Sequence, residues 1–318
     1  MPETYTVGID LGGTNIKGGV CDEHGRLLSR HSIDTEADRG ADHVLGRMKL
    51  LVDELCAQGR RDRRQIVGVG VGAPGPMSHA QGIIYAAPNL PGFVNYPLRE
   101  RFGALTGLRV VLENDANAAA FGEFATGAGR AVRSMVMLTL GTGIGGGVIL
   151  DGKLWRGHFD NAGEVGHMLV VPNGRPCPCG QRGCFERYAS ANAVAERLAE
   201  AVQAGEDSLL KPNVLAGEPF DARDVLAAID RGDALAARIW DETCFYLAVS
   251  VVNLRHLLNP ELVVFAGGLT NAGARLLEPT QAHFDRLSWK IAPDAPQIAL
   301  ATLGTDAGTI GAALLARS

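Results

Sequence analysis

Four side chains that bind soft metals fall within eighteen positions of this sequence: His167, then Cys177 after nine residues, Cys179 after one more and Cys184 after a further four. One imidazole and three thiolates at that spacing suit a closed tetrahedral zinc site, with no coordination position left open for catalysis. Gly174, Pro176, Pro178, Gly180 and Gly183 lie between the ligands and let the chain double back until all four face one point. A disulfide between Cys177 and Cys179 would close a short, strained ring and leave the fourth ligand unexplained. The knot is read as structural, its work being to hold what flanks it. Two carboxylates flank it, Glu164 and Glu186.

A second group able to do chemistry is Asn114-Asp115, where an apolar run ends and an alanine-rich segment begins. Asp115 is a candidate general base for phosphoryl transfer, a reaction that needs positioning and charge neutralisation more than a strong base. An aspartate opening a helix is also a common cap. Asn89, Asn114, Glu164, His167 and Glu186 supply the mixed donors and acceptors that a ring of sugar hydroxyls requires. Paired carboxylates also serve glycoside hydrolysis, but that reaction has no use for phosphate-binding turns. Such turns are present: Gly12, Gly13 and Thr14 form one, Gly141, Thr142 and Gly143 another, and Gly267-Gly268 a third glycine pair. Their backbone amides can approach a polyphosphate unobstructed, although neither triplet has Walker spacing. Asp10, at a strand end, either orients hydrated Mg²⁺ or caps its turn.

The elements that must position these groups follow from periodicity. Strands are expected at 4–10, 18–22, 27–33, 66–71, 109–112, 134–140, 148–150, 261–266 and 297–303. Helices are expected at 42–58, 98–105, 116–125, 191–204, 222–229, 233–258, from 272 onward, and at 308–316. The stretch 72–97, proline-rich and carrying Gly75 and Asn89, is long enough to need a function or a hairpin of its own. Strand, glycine turn and returning strand occur at 4–22 and again at 134–150, which implies a duplicated α/β fold with a cleft between its halves. The leucine-rich face of 233–258 reads either as core or as a subunit contact.

A net charge of -5 gives no general pull toward nucleic acid or anionic membrane, and no apolar stretch is long enough to span a bilayer. Three of the six cysteines sit in the knot and the rest are scattered, a usage that fits a reducing cytoplasm.

Five runs carry a resemblance. Asp10-Leu-Gly-Gly-Thr-Asn-Ile-Lys17, Leu112-Glu-Asn-Asp-Ala-Asn-Ala-Ala119, Leu140-Gly-Thr-Gly-Ile-Gly-Gly-Gly147, Glu164-Val-Gly-His167 and Cys177-Pro-Cys-Gly-Gln-Arg-Gly-Cys-Phe-Glu186 resemble the signatures of the ROK family of sugar kinases and repressors. The wider similarity is to the actin-like, hexokinase-like ATPase fold. It implies an N-terminal α/β domain over 1–116, completed by the C-terminal helix at 305–318, and a larger α/β domain over 117–304 that carries the zinc loop and a dimer surface. By this resemblance Asp115 takes the proton from a hexose 6-hydroxyl as ATP delivers its γ-phosphoryl group. Gly75, Asn89, Asn114, Glu164, His167 and Glu186 fall where the family holds the sugar, His167 being also a zinc ligand. Asp10, Gly12, Gly13, Thr14, Lys17, Gly141, Thr142, Gly143, Gly267 and Gly268 fall on its nucleotide-binding turns. ATP, Mg²⁺, structural Zn²⁺ and a cytoplasmic homodimer are implied with them.

The family's repressors carry a helix-turn-helix ahead of the first hairpin; here residues 1–3 precede it, so DNA binding is not expected. Pro88-Asn-Leu90, Glu113-Asn-Asp115 and 160–167 are most similar to the bacterial glucokinases. Gly92-Phe-Val-Asn-Tyr-Pro97 departs from them, since many have a tryptophan before the Pro-Leu pair. N-acetylglucosamine and N-acetylmannosamine are therefore the alternative substrates.

Overall fold

The computed structural model describes residues 3–58, 65–292 and 294–317. Alternating apolar residues on either side of the first glycine turn give an antiparallel hairpin, β1 (Tyr5–Leu11) with β2 (Asn15–Cys21), in which Asp10 stands opposite Lys17. β3 (Leu27–Asp34) extends it, and α1 (Ala41–Gln58) buries Val44, Leu45, Met48, Leu51, Val52 and Leu55 at helical spacing. β4 (Ile66–Ala73) then pairs parallel with β1. The long stretch that follows folds as a small antiparallel sheet of β5 (Met77–Ser78), β6 (Ile83–Ala86) and β7 (Val94–Tyr96). After α2 (Leu98–Thr106), β8 (Val110–Asn114) pairs parallel with β4 and runs straight into α3 (Asp115–Thr126). The resulting mixed sheet has the order β3-β2-β1-β4-β8.

A second mixed sheet contains β9 (Met135–Leu140), β10 (Ile144–Leu150) and β11 (Lys153–Leu154). After the cysteine loop come α4 (Glu186–Ala189), α5 (Ala191–Gln203), α6 (Lys211–Ala216), α7 (Ala222–Asp230) and α8 (Ala234–Leu258). β12 (Leu262–Ala266), α9 (Ala274–Leu287), β13 (Gln297–Leu300) and α10 (Ala307–Leu315) complete the chain. The order is β11-β10-β9-β12-β13, with β12 parallel to both β9 and β13. Two compact units result, one of Met1–Ser134, Gly147–Gly163 and Thr302–Ser318, the other of Met135–Gly146 and Glu164–Ala301. Leu235, Ile239, Leu247, Val251 and Leu254 of α8 are buried within the chain, so that face is core.

α10 belongs to the first unit because glycines let it approach. A Cβ at Gly8 of β1 would lie 1.8 Å from the Thr309 carbonyl oxygen, and one at Gly70 of β4 1.8 Å from that of Ala312. The alternate glycines of β4 are thus the seat of a helix rather than weak points in a strand.

The strand expected over 297–303 stops at Leu300: the Ala301 amide still donates to the Phe265 carbonyl at 2.8 Å, but those of Thr302 and Leu303 turn to a side chain. Glu123, fully buried in α3, accepts hydrogen bonds from the amides of Thr302 (2.9 Å), Leu303 (2.7 Å) and Ala128 (2.9 Å) and from the Thr302 hydroxyl. Removing that carboxylate strands several buried donors, each costing about 1–3 kcal/mol. Glu123→Ala is therefore expected to destabilise the protein by about 3 kcal/mol or more in urea unfolding, and Glu123→Gln by less. A change below about 1 kcal/mol in the alanine variant would contradict this role.

Candidate functional site

Asp115 lies at the first position of α3, where β8 delivers the chain to a helix N-terminus. Capping is done by its neighbour: Asn114 Oδ1 accepts from the amides of Ala116 (2.9 Å) and Asn117 (3.1 Å). Asp115 Oδ1 accepts from the Ala116 amide at 2.8 Å, and the residue is partly exposed. Behind the pair is a group that sequence reasoning passed over. Glu113, 2% exposed, accepts from the Asn114 amide and Asn117 Nδ2 through Oε1 and from Arg156 Nε at 2.7 Å through Oε2. The only signal in the sequence was an acid directly following the apolar run 110–112. Asp160, also unforeseen, holds a left-handed conformation and accepts from the amides of His79 (2.8 Å) and Ala80. It thereby ties the loop after β11 to the turn after β5.

Four more expected residues, Gly13, Asn89, Gly75 and Asp10, lie in the same unit. A Cβ on Gly13 would stand 2.9 Å from the Asn89 carbonyl oxygen, so the first glycine turn and the Asn89 turn are packed backbone to backbone. Gly75 has φ 89° and a Cβ there would lie 2.1 Å from the Ala86 carbonyl oxygen, so only glycine lets the end of β4 pass beneath the segment leading to Asn89. Asp10 faces the first turn of α10, its Cγ 3.4 Å from where a Gly308 Cβ would be.

Burial raises the Asp10 carboxyl above its ordinary range, and Lys17 opposes the shift. A carboxyl raised by folding costs stability at any pH above its folded-state pKa, and the cost is relieved as pH falls through that value. Asp10→Asn is therefore expected to raise the melting temperature at pH 7.5, with the gain shrinking in acid. A lower melting temperature at pH 7.5 would contradict it.

In the second unit the four soft ligands come together, their donor atoms all within 4.8 Å of one another. Cys179 Sγ lies 3.6 Å from Cys184 Sγ, and Cys177 Sγ 3.9 Å from His167 Nδ1. The sulfur–sulfur distance is close to the edge of a tetrahedron of metal–sulfur bonds, about 3.8 Å for 2.3 Å bonds. The loop closes through Cys177 N to Gln181 O (2.9 Å), Gly183 N to Arg175 O (2.8 Å) and Phe185 N to Met168 O (2.8 Å), with Gly180 and Gly183 both left-handed. Arg175 with Glu200 and Arg187 with Glu196 fasten its two ends to α5. Burial pushes the Cys177 thiol up, whereas the Gln181 amide lowers that of the exposed Cys179. The donor set thus fits a metal ion whose binding would displace a proton from Cys177.

Glu164 is exposed and precedes the short 3-10 turn Val165–His167. Glu186 opens α4, its Oε1 3.2 Å from Cys177 Sγ. The turn at Gly141, Thr142 and Gly143 joins β9 to β10, and a Cβ on Gly267 would lie 2.6 Å from the Leu140 carbonyl oxygen just ahead of it. Gly268 begins the 3-10 turn after β12, so two of the three glycine sites meet within this unit. Among the described residues no helix is long and apolar enough to cross a membrane.

The ROK family model matches residues 6–318. This chain belongs to the ROK family. A glucokinase of Halalkalibacterium halodurans is 36% identical over 318 residues, covering 100% of this chain and 96% of its own. Among solved structures of the family, a glucokinase from Streptomyces griseus in complex with glucose and AMPPNP superposes with a TM-score of 0.80 at 35% identity, covering 98% of this chain and 99% of that one. A ROK hexokinase from Thermus thermophilus gives 0.84 at 33% identity, with 99% and 98% covered. The α/β architecture with mixed sheets is that of the ROK family.

Proposed function

We propose that the chain is an ATP-dependent hexose kinase of the glucokinase type, moving the γ-phosphoryl group of ATP to the 6-hydroxyl of glucose. Full-length similarity to ROK glucokinases carries this reading. The local geometry supports it with a carboxylate, Asp115, partly exposed at the first position of α3 beside the capping Asn114. In this reading Asp115 is the base that takes the hydroxyl proton, sufficient because the transition state of phosphoryl transfer is loose. Asn114, with Oδ1 occupied by two amides, meets the sugar through Nδ2 as a donor. Gly75, Asn89, Glu164, His167 and Glu186 complete the sugar contacts. Asp10, Lys17 and the turns at Gly12, Gly13, Thr14, Gly141, Thr142, Gly143, Gly267 and Gly268 take the nucleotide. Bound Mg²⁺ would neutralise phosphate charge, Asp10 orienting its waters.

Zinc held by His167, Cys177, Cys179 and Cys184 is structural here. With Nδ1 directed at the thiols, His167 keeps Nε2–H as a donor for a sugar oxygen. The halves that open with β1–β2 and β9–β10 are read as a duplication with a ligand cleft, and the enzyme as a cytoplasmic homodimer. A coupled ATP-consumption assay over glucose, mannose, N-acetylglucosamine and N-acetylmannosamine tests the proposal. Glucose is expected to give the highest kcat/KM. Preference for an N-acetylated sugar would move the assignment within the family, and no sugar-dependent consumption would refute it.

A further inference from the structure

The metal ligands and the second glycine turn meet on one carboxylate. Glu186 Oε1 lies 3.2 Å from Cys177 Sγ and 3.8 Å from His167 Nδ1, while Oε2 lies 2.9 Å from where a Cβ on Gly143 would be. Two further contacts join the same segments. Gly166, inside the turn that carries His167, presses on Ile144, where an added Cβ would stand 2.0 Å from the carbonyl oxygen. At the other end, the amide of Ala191 donates to the Gly141 carbonyl at 2.8 Å. Backbone 141–144 is thus walled by Glu186, by the His167 turn and by the start of α5. All three belong to, or directly flank, the segment whose course the four ligands set.

We infer that the ligand knot positions the glycine turn through Glu186, so that metal occupancy governs affinity for the nucleotide as well as for the sugar. An ion held by His167, Cys177, Cys179 and Cys184 would fix the course of 167–184, and with it the start of α4 that carries Glu186 and the Gly166 turn that bears on Ile144. That would set the backbone from which Glu186 presents the oxygen that bounds Gly143. A turn that offers backbone amides to phosphate binds well only if their directions are set beforehand, because ordering them on binding costs affinity. Glu186 is in this account a positioning residue on the nucleotide side, in addition to its proposed contact with the hexose. The inference rests on the kinase reading and deepens it.

The test measures AMPPNP binding by calorimetry in Mg²⁺ without any hexose, so that the sugar contact is silent, with bound zinc determined by elemental analysis. Glu186→Ala is expected to keep its metal and bind AMPPNP about tenfold more weakly or worse, whereas Glu186→Gln, of the same shape, stays within about threefold. Stripping zinc from the wild type should give a similar loss, and stripping Glu186→Ala little more, because both act through one contact. Should Glu186→Ala fail to hold zinc, Gly166→Ala, which pushes on Ile144 and replaces no ligand side chain, is expected to show the same weakening in protein whose zinc content elemental analysis finds unchanged. Unchanged AMPPNP affinity in the metal-loaded alanine variants, or losses that simply add, would overturn the inference. Absence of AMPPNP binding by the metal-loaded wild type would instead refute the kinase reading on which it stands.

Discussion

Asp115→Asn is expected to lower turnover about 1000-fold or more while leaving glucose affinity within a few fold. The substitution removes the charge and with it the proton acceptor. Side-chain volume is retained, and α3 keeps its cap because Asn114, not Asp115, bonds the amides of both Ala116 and Asn117. Glu113, held by Asn117 and Arg156, keeps the end of β8 where it was. A large loss in kcat with an unchanged dissociation constant separates a base from a binding group, since a group that only binds substrate would raise KM instead. Single-turnover kinetics with calorimetric glucose titration measures both. Near-normal turnover would remove Asp115 from the role.

The second large effect is expected at Cys179. Cys179→Ser should abolish zinc binding in elemental analysis and weaken glucose binding about tenfold to 100-fold. Cys179 is the exposed member of the ligand set, so a serine there creates no cavity and leaves no buried polar group unsatisfied. Any loss therefore reports the metal rather than packing. Glu164 and His167, proposed above as sugar contacts, lie on the segment that the knot organises, and an unligated loop would let them wander. Cys244→Ser, a change in a fully buried thiol of α8, serves as the control and should retain zinc. Purified wild type without zinc would contradict the structural-metal assignment.

The contrast between these residues shows what could be read before the fold was known. The ligand knot and the glycine turns are local in sequence, so residue type and spacing were enough to expect that they close on themselves. β1, β2, α1 and α8 announced themselves through periodicity, and the stretch at 72–97 through a length that demanded structure. Glu113, Glu123 and Asp160 gave no comparable sign, because each owes its importance to partners far along the chain: Arg156, Thr302 with Leu303, and His79 respectively. A carboxylate looks solvated until the amides that bury it are in place. Likewise the division of labour between Asn114 as cap and Asp115 beside it is a matter of side-chain direction, which two adjacent polar residues do not reveal by type. The small helix α6 was unforeseen for the opposite reason, having only six residues and no buried face to impose a period.

The most direct measurement is phosphorus NMR of the purified chain incubated with glucose and Mg-ATP. The account predicts one glucose 6-phosphate formed for each ADP, with formation lost in Asp115→Asn. ADP appearing at the same rate with and without sugar, or no sugar phosphate at all, would contradict it.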